Sequence, residues 1–193
     1  MDSYKEYYEV VGEKPNSLVV EALKDFTTTK SKALDLGAGN LRDSKFLLSK
    51  GFKKIVAGDK DEVTRKFLVP KIDLHITAIE DFIPETNTFD FALSCNTLFF
   101  LDQSRVSRIL HRVFAGLKPK GIFVFNVLGN DDDWVLQQRP VYSYSDRELE
   151  TLAVRTGYEV LGLGEGRYNS YFMSQEGPLP KFWHQLSLAV RKP

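Results

Sequence analysis

The stretch ALDLGAGN at residues 33 to 40, followed by IVAGDKDE at 55 to 62, decides how this chain folds. Ala33 to Leu36 reads as a short buried strand carrying one acid, Asp35, near its end. The chain then turns through Gly37, Ala38 and Gly39, and glycines at such a turn let the backbone approach a ligand closely. A helical pattern beginning near Leu41 aims free N–H groups at the same place. The second strand, Ile55 to Gly58, delivers Asp59 to the same sheet edge, where an acid can hold a ribose diol. The pair of segments predicts a nucleotide-type site at one end of a parallel sheet.

Outward from this pair, apolar runs rich in β-branched residues alternate with helical patterns, as in a parallel sheet with crossover helices. A helix is predicted over Ser17 to Asp25, with Pro15 and Asn16 as start signals, covering the sheet or the ligand. Further helices are predicted near Asp43 to Ser49, ending at Gly51, and near Glu62 to Leu68, stopping before Pro70. Strands three, four and five are placed at Leu74 to Thr77, at FDFALSC (89–95) and at GIFVFNV (121–127). The helix Val106 to Leu117 closes at Lys118-Pro119. Ser145 with Glu148 forms a capping-box signature for a helix to about Arg155, ended by Gly157. Tyr158 to Leu163 and Gln185 to Val190 read as closing strands of an antiparallel hairpin with a long Gly- and Pro-containing loop between them. GNDDDWV at 129 to 135 reads as a short acidic cluster in a loop.

Composition bounds the function. The 193 residues, 42% of them hydrophobic, suit one domain with one sizeable core. The 26 basic and 26 acidic side chains cancel, so no global field draws nucleic acid or an anionic membrane. Cys95 is the sole cysteine, which excludes an internal disulfide and fits a reducing compartment. MDSYKEYYEV lacks the apolar core of a signal peptide, and no apolar run approaches the roughly 18 residues of a spanning helix. The expectation is a cytoplasmic protein, a monomer or homodimer, without membrane or nucleic-acid partners. His75, His111 and His184 lack metal-ligand spacing, so no metal is expected, and all three are read as structural or exposed.

The glycine turn departs from the dinucleotide-dehydrogenase fingerprint, whose third glycine is Arg42 here. An acid at strand end beside GxG instead resembles motif I of the class I S-adenosylmethionine-dependent methyltransferases. The resemblance implies that Asp35 orients the amino-acid portion of S-adenosylmethionine, that Gly37, Ala38 and Gly39 make room for its ribose, and that Asp59 binds both ribose hydroxyls with Lys60 flanking the adenine. AIEDFIPETNTFDFALSCNTLFFLD at 78 to 102 resembles the adenine loop and fourth strand of that family. Aligned this way, Ile79 covers the adenine, Glu80 supplies polar contacts, and Asn96 faces the methyl group. LKPKGIFVFNV at 117 to 127 resembles the family's fifth strand. Two positions depart from the family: Leu41 stands for the third glycine of GxGxG, and Ala78 for an acid opposite the adenine amino group, leaving that contact to backbone groups, Glu80 or Asp81.

The resemblance implies a single doubly wound, Rossmann-like α/β domain over residues 1–193, with a mostly parallel seven-stranded sheet whose last strand is antiparallel. Residues 1–29 form a leader and possible lid, 30–130 the cofactor-binding core, and 131–193 the substrate-side loops and closing strands. The NLRDS run, the LFFL pattern and HQLSLAVRKP most resemble tellurite-resistance-type and thiopurine-type methyltransferases, which act on small molecules. Methyl transfer to a small-molecule acceptor with S-adenosyl-L-homocysteine as product is the expected function. The sulfonium methyl is already activated, so aligning the acceptor matters more than a dedicated base. Asn96, Tyr8 and Arg42 are the candidates for polarising or binding the acceptor. Tyr4, Tyr7, Tyr8, Phe99, Phe100 and Trp134 can shield a sulfonium or simply pack.

Each candidate also has a plainer reading. Asp35 can be a strand-end cap, Asp59 an acid at a helix start, Arg42 a solvated helix residue, and Cys95 a packing residue rather than a nucleophile. GPLPKFW at 177 to 183 can present aromatic surface to a partner. Three other functions fit less of the pattern: a nicotinamide oxidoreductase, a cofactor-binding protein without catalysis, and a nucleic-acid methyltransferase. The last would carry an NPPY-like tetrad where CNTLFF stands at 95 to 100.

Overall fold

A computed structural model describes residues 8, 11–26, 28–174 and 177–193. Eight strands form one sheet: β1 (Lys32–Leu36), β2 (Lys54–Asp59), β3 (Ile72–Ile76), β4 (Phe89–Ser94), β5 (Leu117–Gly129), β6 (Ser143–Tyr144), β7 (Glu159–Ser174) and β8 (Gly177–Arg191). Their order is β3-β2-β1-β4-β5-β8-β7, with β6 paired to β5. β1 to β6 pair in parallel, while β8 runs antiparallel to both β5 and β7. The mostly parallel, doubly wound reading holds, with β6 as an eighth strand.

The central strands owe their position to unbroken apolarity. Every residue of β4 is buried, and so are Ala33 to Leu36 of β1, because helices cover both faces of the sheet. At the edge, β3 buries only Ile72 fully. α3 (Gln103–Gly116) and α5 (Asp146–Thr156) cover one face through Val106, Ile109, Leu110, Val113, Leu149 and Ala153. α1 (Ser17–Asp25) and α2 (Arg42–Ser49) cover the other through Val19, Ala22 and Leu47. Caps set the helix starts: Asn16 accepts from the Leu18 N–H for α1, Asp102 from Arg105 for α3, and Ser145 with Glu148 closes the expected capping box for α5. Among the described residues no helix is long and apolar enough to cross a membrane.

Several elements differ from the sequence reading. The segment after β2 is a 3₁₀ helix, Glu62–Phe67, rather than an α-helix, because Pro70 leaves it too little length to continue. β5 begins at Leu117, so Lys118-Pro119 lies within the strand rather than closing the helix. The largest difference is at the end of the chain. β7 and β8 pair from Glu159↔Arg191 to Ser174↔Gly177, so residues 164–174 and 177–184 form a long paired arm rather than a loop. The arm overruns β5, whose pairing with β8 stops at Leu128↔Gln185.

The overhang is held by the acidic cluster read as a solvent loop. Asp132 is fully buried and caps the short helix α4 (Asp133–Leu136) by accepting the Trp134 N–H at 3.0 Å. Its carboxylate also accepts Lys181 Nζ at 2.5 Å and the His184 N–H at 3.0 Å. Asp133 accepts the Phe182 N–H at 2.6 Å, and the Asp131 N–H donates to His184 Nδ1 at 3.1 Å. His184 is therefore structural and buried, and its ring fills the space that a Cβ on Gly129 would need. Asp132 and Asp133 thus satisfy backbone donors and one buried ammonium, while the exposed Asp131 carboxylate pairs with Arg167.

Leu41 is the N-cap of α2 and adopts a left-handed conformation, φ 60°, where the family pattern has glycine. Its side chain is completely buried in the core between α1, α2 and the sheet. The left-handed backbone costs about 1–2 kcal/mol, and burial of a leucine is worth more, since truncating one costs about 2–5 kcal/mol. Leu41→Gly is therefore expected to destabilise the fold by about 1–3 kcal/mol in urea unfolding; a stabilised variant would mean that backbone strain dominates.

Candidate active site

The glycine turn and Asp59 meet as the sequence predicts. Parallel pairing of β1 with β2 puts Leu36 opposite Gly58, and the N–H groups of Gly37 and Ala38 donate to the Gly58 carbonyl at 2.8 and 3.2 Å. Gly39, φ 52°, then donates its N–H to Asp59 Oδ2 at 2.7 Å, while the Asp61 N–H donates to Oδ1 at 2.9 Å. A carboxylate offers about four lone-pair positions, so Asp59 keeps acceptor capacity after both backbone bonds are made. Lys60 beside it is exposed.

The two glycines serve different ends. A Cβ on Gly37 would lie 2.1 Å from Thr97 Oγ1, so this glycine admits Thr97 rather than a ligand. A Cβ on Gly39 would lie 3.0 Å from Cε1 of Tyr8. Tyr8 is buried, stands edge-on to Phe67 at 5.9 Å, and lies directly over the turn. Asn40, which the sequence reading passed over, holds this leader down: its Nδ2 donates to the carbonyls of Tyr8 at 3.3 Å and Gly12 at 2.7 Å. Tyr4 and Tyr7 lie outside the described residues.

Asp35 sits beneath the turn, almost wholly buried, and accepts the Ser44 hydroxyl at 2.6 Å. Burial first, and then the nearby charge of Asp43, push its carboxyl up to about 8. Burial also raises Asp43, against the pull of the Asn16 N–H that it accepts at 2.6 Å. Arg42, expected to be solvated, has a side chain only 18% exposed, with Nε 3.9 Å from Asp43. Two buried acids and one loosely placed guanidinium leave this position short of positive charge, which suits a ligand ammonium. Cys95 packs against the second core, and burial raises its thiol well above the usual range, so it is no nucleophile at neutral pH.

The adenine-loop candidates are placed less openly. The Thr77 N–H donates to the Asp59 carbonyl at 2.8 Å, which brings this loop beside the acid. Ile79, however, is buried in the main core with Phe82 rather than lining an open slot. Glu80 faces Arg105 at 3.6 Å, and its carbonyl accepts Arg112. Asp81 is exposed, and its N–H bonds back to Ala78.

Asn96 ends β4 in a left-handed conformation, φ 55°. Its backbone N–H donates to Asn126 Oδ1 at 2.7 Å, and Asn126 Nδ2 donates back to Asn96 Oδ1 at 2.7 Å. Gln185 Nε2 adds a second donor to the same oxygen at 3.1 Å, and Tyr168 Oη donates to Gln185 Oε1 at 3.0 Å. Asn126 on β5 stands opposite Ser187 and Gln185 on β8 opposite Leu128, so the two amides reach Asn96 from diagonal positions of the ladder, a placement invisible until strand register is known. Nearby, Trp134 gathers Phe99, Phe100, Phe172 and Trp183 within 5.3 to 6.2 Å. Lys181 Nζ lies 3.6 Å from the Trp183 ring. Lys181 and Trp183 of the GPLPKFW segment are thus drawn into this cluster, while Pro178, Leu179 and Pro180 stay exposed.

Comparisons with known proteins bear on this arrangement. A family model described as tellurite resistance protein TehB matches residues 1–162. The human mitochondrial arginine-hydroxylase NDUFAF5 is 25% identical over 146 residues, 73% of this chain and 41% of that protein. The chain spans about two fifths of the length of the curated relatives it matches. An S-adenosylmethionine-dependent methyltransferase from Mesorhizobium loti superposes with a TM-score of 0.71 at 14% identity, covering 93% of this chain and 100% of that one. A second, from Methanosarcina mazei, gives 0.63 at 16%, covering 85% and 93%. At these identities the structural likeness establishes the fold.

The Asp35 carboxyl makes stability depend on pH. Its unfolded value is about 3.9, and its folded value is pushed up to about 8. Between these values the folded chain keeps a proton that the unfolded chain has lost, so the stabilisation present at low pH is lost as pH rises. The melting temperature is expected to fall from pH 5 to pH 8, and the fall should shrink in Asp35→Asn, which keeps a neutral acceptor for Ser44. Identical slopes in both proteins would contradict this placement.

Proposed function

We propose a function from the premise that this chain belongs to the tellurite resistance protein TehB family, within the class I S-adenosylmethionine-dependent methyltransferases: it transfers a methyl group from S-adenosylmethionine to a small-molecule acceptor. The observation that carries the reading is the Asp59 carboxylate, fixed by the Gly39 and Asp61 N–H groups with acceptor capacity to spare. Two hydroxyls on adjacent carbons match that remaining capacity.

The residues fit the cofactor in this way. Asp59 would hold the ribose hydroxyls, the absent Cβ of Gly39 lets the Tyr8 ring close over the turn, and the Asp35–Asp43 pair would attract the ammonium of the amino-acid portion. Exposed Lys60 and the Thr77–Ala78 backbone would flank the adenine, with Ile79 supporting that loop from the core and Glu80 tied to Arg105. When bound, S-adenosylmethionine supplies a methyl group on a positively charged sulfur. Asn96 would contact the acceptor at the end of β4, and Tyr8 closes the site from above, excluding water from the transfer path. Arg42, turned toward Asp43, serves the cofactor pocket rather than the acceptor. No side chain in this arrangement is poised as a strong base, which favours an acceptor that arrives with a free lone pair.

Calorimetric titration with S-adenosylhomocysteine is expected to show micromolar binding, and NADH none. Asp59→Ala should weaken binding about tenfold or more, because hydrogen bonds to a charged group are worth about 1.5–3 kcal/mol. Binding of NADH, or undiminished binding by the variant, would overturn the reading. Mass spectrometry of candidate acceptors distinguishes methylation from hydroxylation, the activity that names the human relative.

A further inference from the structure

We propose that Asn126 and Gln185 are positioning residues that lock the Asn96 side chain as a hydrogen-bond donor, so that the site takes acceptors presenting an oxygen or sulfur lone pair and refuses protonated amines. This rests on the methyl-transfer reading above and names the acceptor class of the same site.

The orientation follows from one unambiguous donor. A backbone N–H can only donate, so the atom of Asn126 that meets the Asn96 N–H at 2.7 Å must be the carbonyl oxygen. The Asn126 NH₂ is then the group that faces the Asn96 side chain, and the atom of Asn96 it meets at 2.7 Å must be Oδ1. Gln185 repeats the constraint: its Nε2 reaches the same oxygen at 3.1 Å, and its Oε1 is occupied by Tyr168 Oη at 3.0 Å. Turning any one amide over would set two like groups face to face in a buried place, since Asn126 is 4% exposed. Asn96 Oδ1 is therefore filled by two donors, and Nδ2 is the half with no acceptor among the described residues.

A donor at this position favours a lone pair and repels an ammonium, which has only donors of its own. The surroundings agree. On the hairpin side three of four described carboxylates are paired with cations, Asp131 and Glu165 with Arg167 at 2.7 Å and Asp132 with Lys181 at 2.5 Å, while Asp133 accepts the Phe182 N–H at 2.6 Å and keeps acceptor capacity. Arg139, in contrast, lies over the Phe172 ring at 4.9 Å with no acid paired to it. An acceptor oxygen or sulfur anion forms its new bond to the methyl carbon while the methyl–sulfur bond breaks and its electron pair stays on the cofactor sulfur. The products are a methylated acceptor and a neutral thioether, with no proton left to place, which accords with a site that holds no strong base.

The test begins with S-adenosylhomocysteine binding; its absence would sink the methyl-transfer reading itself. With binding established, carboxylates, phenols and thiols are compared with amines, both as acceptors and as ligands of the S-adenosylhomocysteine complex. The expected result is that the first group shifts the Asn96 Nδ2 proton resonances and is methylated, and that amines do neither. Amines methylated as fast, or no ligand of either class shifting those resonances, overturns the inference. Gln185→Glu places a carboxylate against Asn96 Oδ1 and is expected to lower kcat/KM for the acceptor tenfold or more while S-adenosylhomocysteine affinity stays within twofold. Gln185→Leu, which removes one donor without adding charge, should lose less. Unchanged kcat/KM in folded Gln185→Glu would also overturn it.

Discussion

The hydrogen bond from the Gly39 N–H to the Asp59 carboxylate, 2.7 Å long, is the contact on which the candidate site depends. It joins residues at the ends of two neighbouring parallel strands and therefore forms only if β1 and β2 are in register, Asp35 opposite Ala57 and Leu36 opposite Gly58. Register in turn follows from burial. A slip of one residue would exchange the faces of Leu34 and Asp35, sending a carboxylate into the larger core. The bond thus converts correct packing of two apolar strands into correct aim of one acid, and it costs no reorganisation when a ligand arrives.

Around that bond the chain accepts several unfavourable local states. Asp35 is a carboxyl driven toward its neutral form by burial, Leu41 and Asn96 hold left-handed backbones without being glycine, and Asp43 is a second buried acid beside the first. All lie at the C-terminal ends of β1 and β4, where strand gives way to turn. Elsewhere the core is regular and apolar on both faces of the sheet. Such states are not confined to this edge, since Lys71, Asn87, Lys120 and Gln138 hold the same left-handed backbone and Asp132 with Lys181 is a second buried charged group, but here they converge on one turn, as expected where a site is pre-shaped for a ligand.

What was legible in the sequence was what short-range patterns encode. The α1 and β1 segments, the capping box at Ser145 and the arrival of Asp59 beside the glycine turn all follow from periodicity and turn chemistry within a few residues. The failures have a common cause, which is that pairing across distant segments decides them. The hairpin arm carries glycines at 162, 164 and 166 and prolines at 178 and 180, a composition that reads as loop, yet two long strands pair there because each gives the other its hydrogen bonds. Asp132 and Asp133 look solvated until Lys181 and the backbone of Phe182 and His184 are brought against them. Asn126 and Gln185 carry no sequence signal at all, since their partner Asn96 is 30 and 89 positions away.

The arm also explains why the acceptor side could not be read from the glycine motif. In the proposed reading the cofactor side is built at the ends of β1 and β2, whereas the acceptor side would be assembled from β8, α4 and the segment after β4. Asp132 stands at the junction: it caps α4, which carries Trp134, and it anchors Lys181 and His184 on β8. One buried carboxylate therefore sets the distance between the Trp134 cluster and the strand that presents Gln185 to Asn96. The two halves meet where the segment after β4 packs on the glycine turn, Thr97 filling the space that a Cβ on Gly37 would need. Asn96 stands beside Thr97 in that segment, and its amide is oriented by Asn126 of β5 and Gln185 of β8.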